Sequence, residues 1–400
     1  MRLPLAVALA ALLVVPASPR AAPTPEAVAR AEAGMSRAVD WLLARQSADG
    51  AWYSETYGAF EDGFSLTPVI LLALLYAPEA AGTEAAWRRG SDFLAAAVAP
   101  DAQVRPQPAG YSYPVESLAL SAIVLSMPPN ARHRAARDAL IAELRTRQLG
   151  PGGGFSDADP NAGGWGYGQA RVQRPREGLP PDDPRAANLP ATLLAVGALR
   201  FAGVMPDDPA LVAARRFVLR CQNFGGPDPA LDDGGFFFSP TGDTTNKAGR
   251  ATPTRFRSYG SMTADGFRAL RHLMRGEDAL RLVAARDWLV RHFDPTRAAG
   301  DYAADRGVQR DAVYFYQSWS LAHALAESSP EVIEPPRGRA AWGEALAAAL
   351  LARQRPDGSF ANPATDLRED DPLLATPMAL AALGLVRFHW SGRLRASIRM

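Results

Sequence analysis

Two carboxylates placed in otherwise apolar surroundings are the first residues of this chain that ask for a chemical account. Glu116 is the one acid in "SYPVESLALSAI" and Asp265 the one acid in "GSMTADGFRAL". A carboxylate in such a setting costs free energy unless it is paired, so each is either satisfied by a neighbouring arginine or open to a cavity that uses it. Facing one another across a cavity wall, they would be the pair that glycoside hydrolysis requires. A further cluster, Arg368-Glu369-Asp370-Asp371, directly precedes the apolar run "PLLATPMALAAL". There Asp370 and Asp371 can cap a helix and complement its dipole.

Other chemistries have fewer residues to work with. Cys221 is the sole cysteine, which leaves no internal disulfide and no cysteine-based metal site. His133, His272, His292, His323 and His389 fall in no zinc-ligand spacing. In "DADPNAGGWGYG" the side chains of Asp157, Asp159 and Asn161 alternate as in a calcium loop. That pattern needs glycine where Ala162 stands and glutamate where Gly168 stands, so a surface turn is expected. No Gly-x-Ser-x-Gly, Walker-type or dinucleotide fingerprint occurs, and neither metal nor cofactor is expected. Aromatic residues are plentiful instead: Tyr57, Phe60, Phe64, Tyr111, Tyr113, Trp165, Tyr167, Phe236 to Phe238, Tyr259, Tyr314, Tyr316 and Trp319. Part of this set is expected to line a pocket for an apolar or ring-shaped ligand, and the rest to pack on its rim.

The elements that position these groups are repeats. Six stretches share an amphipathic segment, a glycine-rich link and a more apolar segment. The first segments end near Trp41-Leu42, Phe93-Leu94, Glu143-Leu144, Phe217-Val218, Trp288-Leu289 and Leu350-Leu351. In the opening one, Val28, Ala31, Met35, Val39 and Leu42 recur at spacings of three and four, the mark of a helix with one buried stripe. Segment 67–76 is apolar all round and must be covered on every side. Thr67-Pro68, Asn188 with Pro190, and Thr376-Pro377 read as helix starts. Six half-exposed helices alternating with six buried ones predict an all-α fold, an α/α toroid (α6/α6 barrel) of six helical hairpins. Neither end is visibly more polar than the middle, whereas an open stack needs polar caps. Links such as 99–112, 149–188, 223–258 and 294–312 are long and those at 77–86, 127–133 and 203–209 short, so one face gathers the insertions and is the expected binding face.

With 48% hydrophobic and 21% charged residues and a net charge of +1, the chain offers no electrostatic attraction to nucleic acid. Arg2, the apolar run from Leu5 to Val15 and the small residues after it read as a secretory signal over 1–22, leaving 23–400 as a single exported toroid domain, periplasmic or secreted. No later stretch has the roughly twenty consecutive apolar residues of a membrane helix, so no integral span is expected in the mature chain.

A smaller repeat lies inside the larger one. Gln46, Gly50 and Trp52 recur as Gln148, Gly153 and Phe155, as Gln222, Gly234 and Phe236, and as Gln354, Gly358 and Phe360. A glutamine amide at a helix end can meet unpartnered carbonyls and reach a neighbouring helix, the glycine permits a left-handed turn, and the ring covers the joint. Trp41-Leu42, Gln46, Gly50 and Trp52 resemble the QW repeat of the prenyltransferase and squalene-oxidase repeat proteins of the terpenoid cyclase superfamily. "SYGSMTADGFRAL" and "EDDPLLATPMALAAL" resemble an exported, squalene-cyclase-like branch.

The resemblance implies a toroid with a central cavity that binds or acts on a polyisoprenoid-like apolar ligand or lipid. It also implies cyclase or isomerase chemistry from a DxDD acid motif, which would make Asp370 the acid and Asp371 its neighbour. Arg368 replaces the first aspartate of that motif and favours the ionised carboxylate. Glu116, Asp265, Tyr113, Trp165, Tyr167, Tyr259, Tyr314, Tyr316 and Trp319 are the expected cavity residues. A non-catalytic binding module and a polysaccharide-active α/α toroid remain open beside this reading.

Overall fold

Thr24 opens the first helix: its hydroxyl accepts the amide of Ala27 at 3.2 Å, and Pro25 fills a first-turn position whose N–H would lack a partner. A computed structural model describes residues 23–98, 104, 112–226 and 229–392, so the expected leader and Tyr111 lie outside the described residues. Its helices are α1 (Pro25–Leu43), α2 (Thr67–Tyr76), α3 (Thr83–Ala96), α4 (Pro114–Ser126), α5 (Arg134–Thr146), α6 (Leu189–Phe201), α7 (Pro209–Arg220), α8 (Gly260–Leu273), α9 (Ala279–Arg291), the short α10 (Gly307–Asp311), α11 (Tyr314–Ser328), α12 (Trp342–Leu351) and α13 (Pro372–Ser391).

Helices α2, α4, α6, α8, α11 and α13 pack each on the next, and α13 packs back on α2, so the inner ring is closed. Around it stand α1, α3, α5, α7, α9 and α12, and α12 meets α1 where the ring closes. The layers follow the patterning. From Thr67 to Leu74 every residue of α2 except Leu72 is buried, whereas α1 buries the single stripe of Ala31, Gly34, Met35, Ala38, Val39, Trp41 and Leu42. Among the described residues α13 alone is long and apolar enough to cross a membrane; 78% of that stretch is buried inside the fold.

All outer-to-inner connections fall at one end of the ring and are the longer class, including 147–188 and 221–259. Two antiparallel ribbons stiffen them, β1 (Trp165–Gly166) with β2 (Ala187–Asn188) and β3 (Arg250–Thr252) with β4 (Arg255–Phe256). At the other end 77–82, 127–133, 202–208 and 274–278 are tight, and 329–341 carries a third ribbon, β5 (Val332–Ile333) with β6 (Ala340–Ala341).

The repeated glutamines join neighbouring outer helices. Gln46 Nε2 donates to Gly50 O and to Ala86 O of α3, both at 2.9 Å. Gln222 does the same to Gly234 O and to Arg281 O of α9, both at 3.0 Å. Gln354 donates to Gly358 O at 2.9 Å and to Gly34 O of α1 at 2.8 Å, which closes the outer layer. The fourth copy corrects the expected register. Gln148 donates to Gly163 O and to Ala210 O of α7, both at 2.8 Å, so Gly163 and Trp165, not Gly153 and Phe155, complete it. The true pair lies ten residues beyond the expected one.

Threonines complete each joint in a way the sequence reading missed. The amides of Trp52, Trp165, Phe236 and Phe360 donate to the hydroxyls of Thr67, Thr192, Thr263 and Thr376 at 3.1, 3.1, 3.0 and 3.0 Å. Thr67 and Thr376 therefore do not cap helices: α2 has no side-chain cap, and α13 begins at Pro372, leaving Pro377 inside it. Asn188 does cap α6, accepting Ala191 N at 3.0 Å.

Candidate functional site

The inner ring encloses a cavity of about 390 Å³, within the size range of small-molecule sites. Its wall comes from the first halves of the inner helices, with Val69, Glu116, Leu120, Leu194, Met262, Tyr316, Trp319, Leu374 and Met378. The long connections add Phe60, Tyr113, Tyr167, Phe238, Lys247, Val313 and Asp366 to Glu369. The cavity thus lies at the end where the long loops gather.

Aromatic rings form a continuous arc along one side. Phe60 stacks on Tyr113 at 5.8 Å, Tyr113 meets Tyr167 edge to face at 6.2 Å, and Tyr167 tilts against Phe238 at 6.0 Å. Tyr316 and Trp319 form an edge-to-face pair at 6.1 Å on α11. Ring faces of this kind attract positive charge.

Besides Asp366, exposed at the rim, three carboxyl groups lie in or just behind the wall, in three different states. Glu369 is fixed: it accepts Phe315 N at 2.9 Å, Tyr316 N at 2.8 Å and Asn362 Nδ2 at 3.0 Å, and so caps α11. Burial pushes its pKa up to about 7 against the pull of those donors. Asp265 sits behind Tyr316, whose hydroxyl donates to it at 2.6 Å; Ser320 also donates to it, and Arg268 stands 3.7 Å away. Burial raises its pKa, opposed by Arg268, Ser320 and Tyr316. Glu116 has no such holders among the described residues beyond its own backbone amide. Its Oε2 is buried without a hydrogen-bond partner among the described residues, and burial pushes its pKa up to about 8. It therefore keeps its proton at neutral pH.

The expected site residues divide accordingly. Glu116, Tyr113, Tyr167, Tyr316 and Trp319 line the cavity. Asp265 does not; its oxygens are taken one layer behind Tyr316. Trp165 is fully buried at a joint, its indole N–H donating to Leu144 O at 2.8 Å, just as that of Trp52 donates to Leu42 O at 2.7 Å. Tyr259 is likewise buried, against Tyr302 at 5.8 Å. Tyr314 turns away, its hydroxyl on Pro295 O at 2.9 Å and Arg353 over its ring at 4.0 Å.

Asp370 and Asp371 also lie outside the cavity wall. Asp371 caps α13 through Leu373 N at 2.8 Å and takes the Ser54 hydroxyl, while Asp370 takes the Tyr57 hydroxyl at 2.8 Å. A general acid must reach the atom it protonates, and from this run the carboxyl that reaches the wall is Glu369. Sequence reasoning missed Lys247, Arg368 and Glu369 as wall residues. The signal for Lys247 was a rare lysine in an arginine-rich chain; for Glu369 there was none. In the loop read as a turn, Asp159 pairs with Arg174 at 2.8 Å and accepts Asn161 N at 2.8 Å.

Solved structures share this architecture at low sequence identity. An aspartate-to-asparagine variant of the type II terpene cyclase MstE from Scytonema, in complex with its substrate geranylgeranyl dihydroxybenzoate, matches 91% of this chain and 98% of its own, with 15% identity and a TM-score of 0.53. The GH76A alpha-1,6-mannanase from Salegentibacter matches 91% of this chain and 99% of its own, with 12% identity and a TM-score of 0.55. A protein from Actinoplanes matches 90% of this chain and 99% of its own, with 17% identity and a TM-score of 0.54. No family model and no curated relative matches the chain. The likenesses establish the α/α toroid, shared by a terpene cyclase and a glycan hydrolase, and fold alone confers neither activity.

Proposed function

We propose that the cavity binds an apolar, polyisoprenoid-like ligand and that Glu116 protonates it, starting a cyclisation or isomerisation. The observation that carries this reading is the buried Oε2 of Glu116, without a hydrogen-bond partner among the described residues, in a wall made mostly of aromatic and aliphatic side chains. Proton transfer from Glu116 to an alkene carbon forms a C–H bond, breaks the π bond and leaves a cation on the neighbouring carbon. The faces of Tyr113, Tyr167, Phe238 and Trp319 would stabilise that cation. Return of a proton from an adjacent carbon to the Glu116 carboxylate, directly or through water, restores an alkene and the acid, so the ligand's mass is unchanged. The fold likeness to a cyclase with a geranylgeranyl substrate supports the ligand class. The repeat of Gln46, Gly50 and Trp52 supports membership of the QW-repeat proteins, and Arg2 with the run from Leu5 to Val15 supports export, which cell fractionation would test.

A glycan-cleaving site would need two carboxylates presented to the ligand. Here Asp265 and Glu369 are both held by other residues, which disfavours that alternative.

The test is to extract the purified protein with organic solvent for mass spectrometry and then incubate it with geranylgeranyl-bearing polyenes. Wild type is expected to give a product of equal mass and altered retention. Glu116→Gln should bind without converting, and Asp370→Asn should convert. Turnover by Glu116→Gln at the wild-type rate would remove the acid. A ligand bound but unconverted by wild type would leave a binding module, and no polyene bound together with cleavage of alpha-1,6-mannan would favour the glycan reading.

A further inference from the structure

Arg368 has Asp366, Glu369, Asp370 and Asp371 within three residues of it, and among the described residues its guanidinium pairs with none of them. Its backbone adopts φ +61°, a left-handed conformation that a side chain this large rarely takes without a reason in the surrounding structure. Two backbone bonds hold that turn, Arg368 N to Thr365 O at 2.9 Å and Asp371 N to Arg368 O at 3.1 Å. The turn sends the guanidinium among three rings, 5.4 Å from Tyr57 and 5.7 Å from both Phe60 and Tyr113. Its Nη1 is buried there and donates to nothing among the described residues. Ring faces attract the charge but cannot accept the hydrogen bonds that a guanidinium offers.

Lys247 repeats the situation elsewhere on the wall. Its ammonium stands 5.2 Å from the Phe238 ring and makes no hydrogen bond or ion pair among the described residues. Burial lowers its pKa to about 8, opposed by the Glu369 and Asp265 carboxyls, so it is still charged at neutral pH, while burial raises the pKa of both Glu116 and Glu369. Asp366 is the remaining acid of the wall, and it is exposed at the rim, where water screens it. Two cations with unused donors therefore face a space in which Glu116 keeps its proton and the Glu369 oxygens are already taken by Phe315 N, Tyr316 N and Asn362 Nδ2.

We propose that the ligand carries an anionic head, a carboxylate or a phosphate, which Arg368 and Lys247 hold at the loop end while the apolar tail extends inward past Glu116 toward Trp319. Arginine matches either head with paired N–H donors, and such charge-assisted bonds are strong in a site that excludes water. Trp319 lies six residues into α11 and Glu116 three into α4, so with a rise of about 1.5 Å per residue the head, the acid and the tryptophan follow one another in depth. The inference rests on the apolar-ligand reading above and names the end of the ligand that reading leaves open.

Three ligands with the same geranylgeranyl chain test it: the carboxylic acid, the monophosphate and the alcohol, titrated by tryptophan fluorescence against wild type, Arg368→Met and Lys247→Met. Wild type is expected to bind the acid or the phosphate at least tenfold more tightly than the alcohol, and the tighter of the two identifies the head. Arg368→Met should lose most of that preference while holding the alcohol as before, which also shows that the variant is folded. Should it lose the alcohol too, Lys247→Met alone carries the test and is expected to weaken the preference. Equal wild-type affinity for acid, phosphate and alcohol, or an undiminished preference in the variants, would overturn the anchor and leave the apolar reading standing. Failure of all three ligands to bind would overturn the apolar reading and the anchor with it.

Discussion

Among the described residues Glu116 Oε2 meets no donor, and that local fact fixes a pH dependence for the folded state. In the unfolded chain the group titrates near 4.5, in the fold near 8. Between those values the unfolded chain releases its proton and the fold does not, so stability falls as pH rises through that window and is constant above it. Glu116→Gln removes the term. Its gain in stability is expected to be near zero at about pH 4 and on the order of 2 kcal/mol at about pH 8, well below the full shift because the cavity admits water. Thermal melts at both pH values check this, and a gain of equal size at each would mean that the carboxyl is ionised in the fold. At this scale the sequence was informative where a charge interrupts an apolar helix, as at Glu116. It was uninformative where an aromatic ring could serve either a wall or a joint. Tyr167 and Trp165 stand two residues apart in one loop, and only the packing of Trp165 under Leu144 O separates their roles.

The joints between hairpins are where single elements acquire their fixed places. At Gly163 the turn requires φ +89°, and a Cβ there would overlap the Ala213 carbonyl of α7. Gly203 has the same φ of +89° with nothing within 4 Å of such a Cβ. The two positions separate backbone handedness from close approach. Gly203→Ala is expected to cost about 1 kcal/mol for the left-handed turn alone. Gly163→Ala should cost about 3 kcal/mol, because α7 must also move away from the joint. Urea unfolding of the two variants decides it; equal losses would mean that the helices do not depend on this contact. The helices themselves were legible from periodicity. The Gly163 joint was not, since a longer stretch separates Gln148 from the glycine it bonds and leaves a nearer Gly-x-Phe as a decoy. Thr67-Pro68 does mark the start of α2, whereas Thr376-Pro377 falls inside α13, and neither threonine caps: a threonine before proline looks like a cap, and its use as an acceptor for a distant amide is a tertiary property.

Closure of the ring was legible from the absence of polar ends, and it has a consequence at the end away from the long loops. There His272 on α8 and His323 on α11 are half-buried near Arg268, and desolvation holds His272 down to about 4 and His323 well below its ordinary value, with Arg268 adding to both shifts. His323 packs edge to face on Tyr76 at 5.8 Å and against Trp319 at 6.0 Å, so it sits directly beneath a residue of the cavity wall. Both imidazoles are neutral in the fold and become protonated in the unfolded chain below about 6.5. Their contribution is present above that value and is lost as pH falls through it toward about 4. Glu116 acts in the opposite direction over part of the same window, so the measurement belongs in a Glu116→Gln background. Glu369 and Asp265, raised by burial, still oppose the histidines there, so the histidine term itself, on the order of 2 kcal/mol lost between about pH 6.5 and pH 4, is read as a difference between variants. Replacing His323 with Phe, which preserves the ring contacts, should remove about half of that drop. An unchanged slope in His323→Phe would mean that the histidine takes up its proton without opening the ring, and the floor of the cavity would then not be the acid-sensitive part of the toroid.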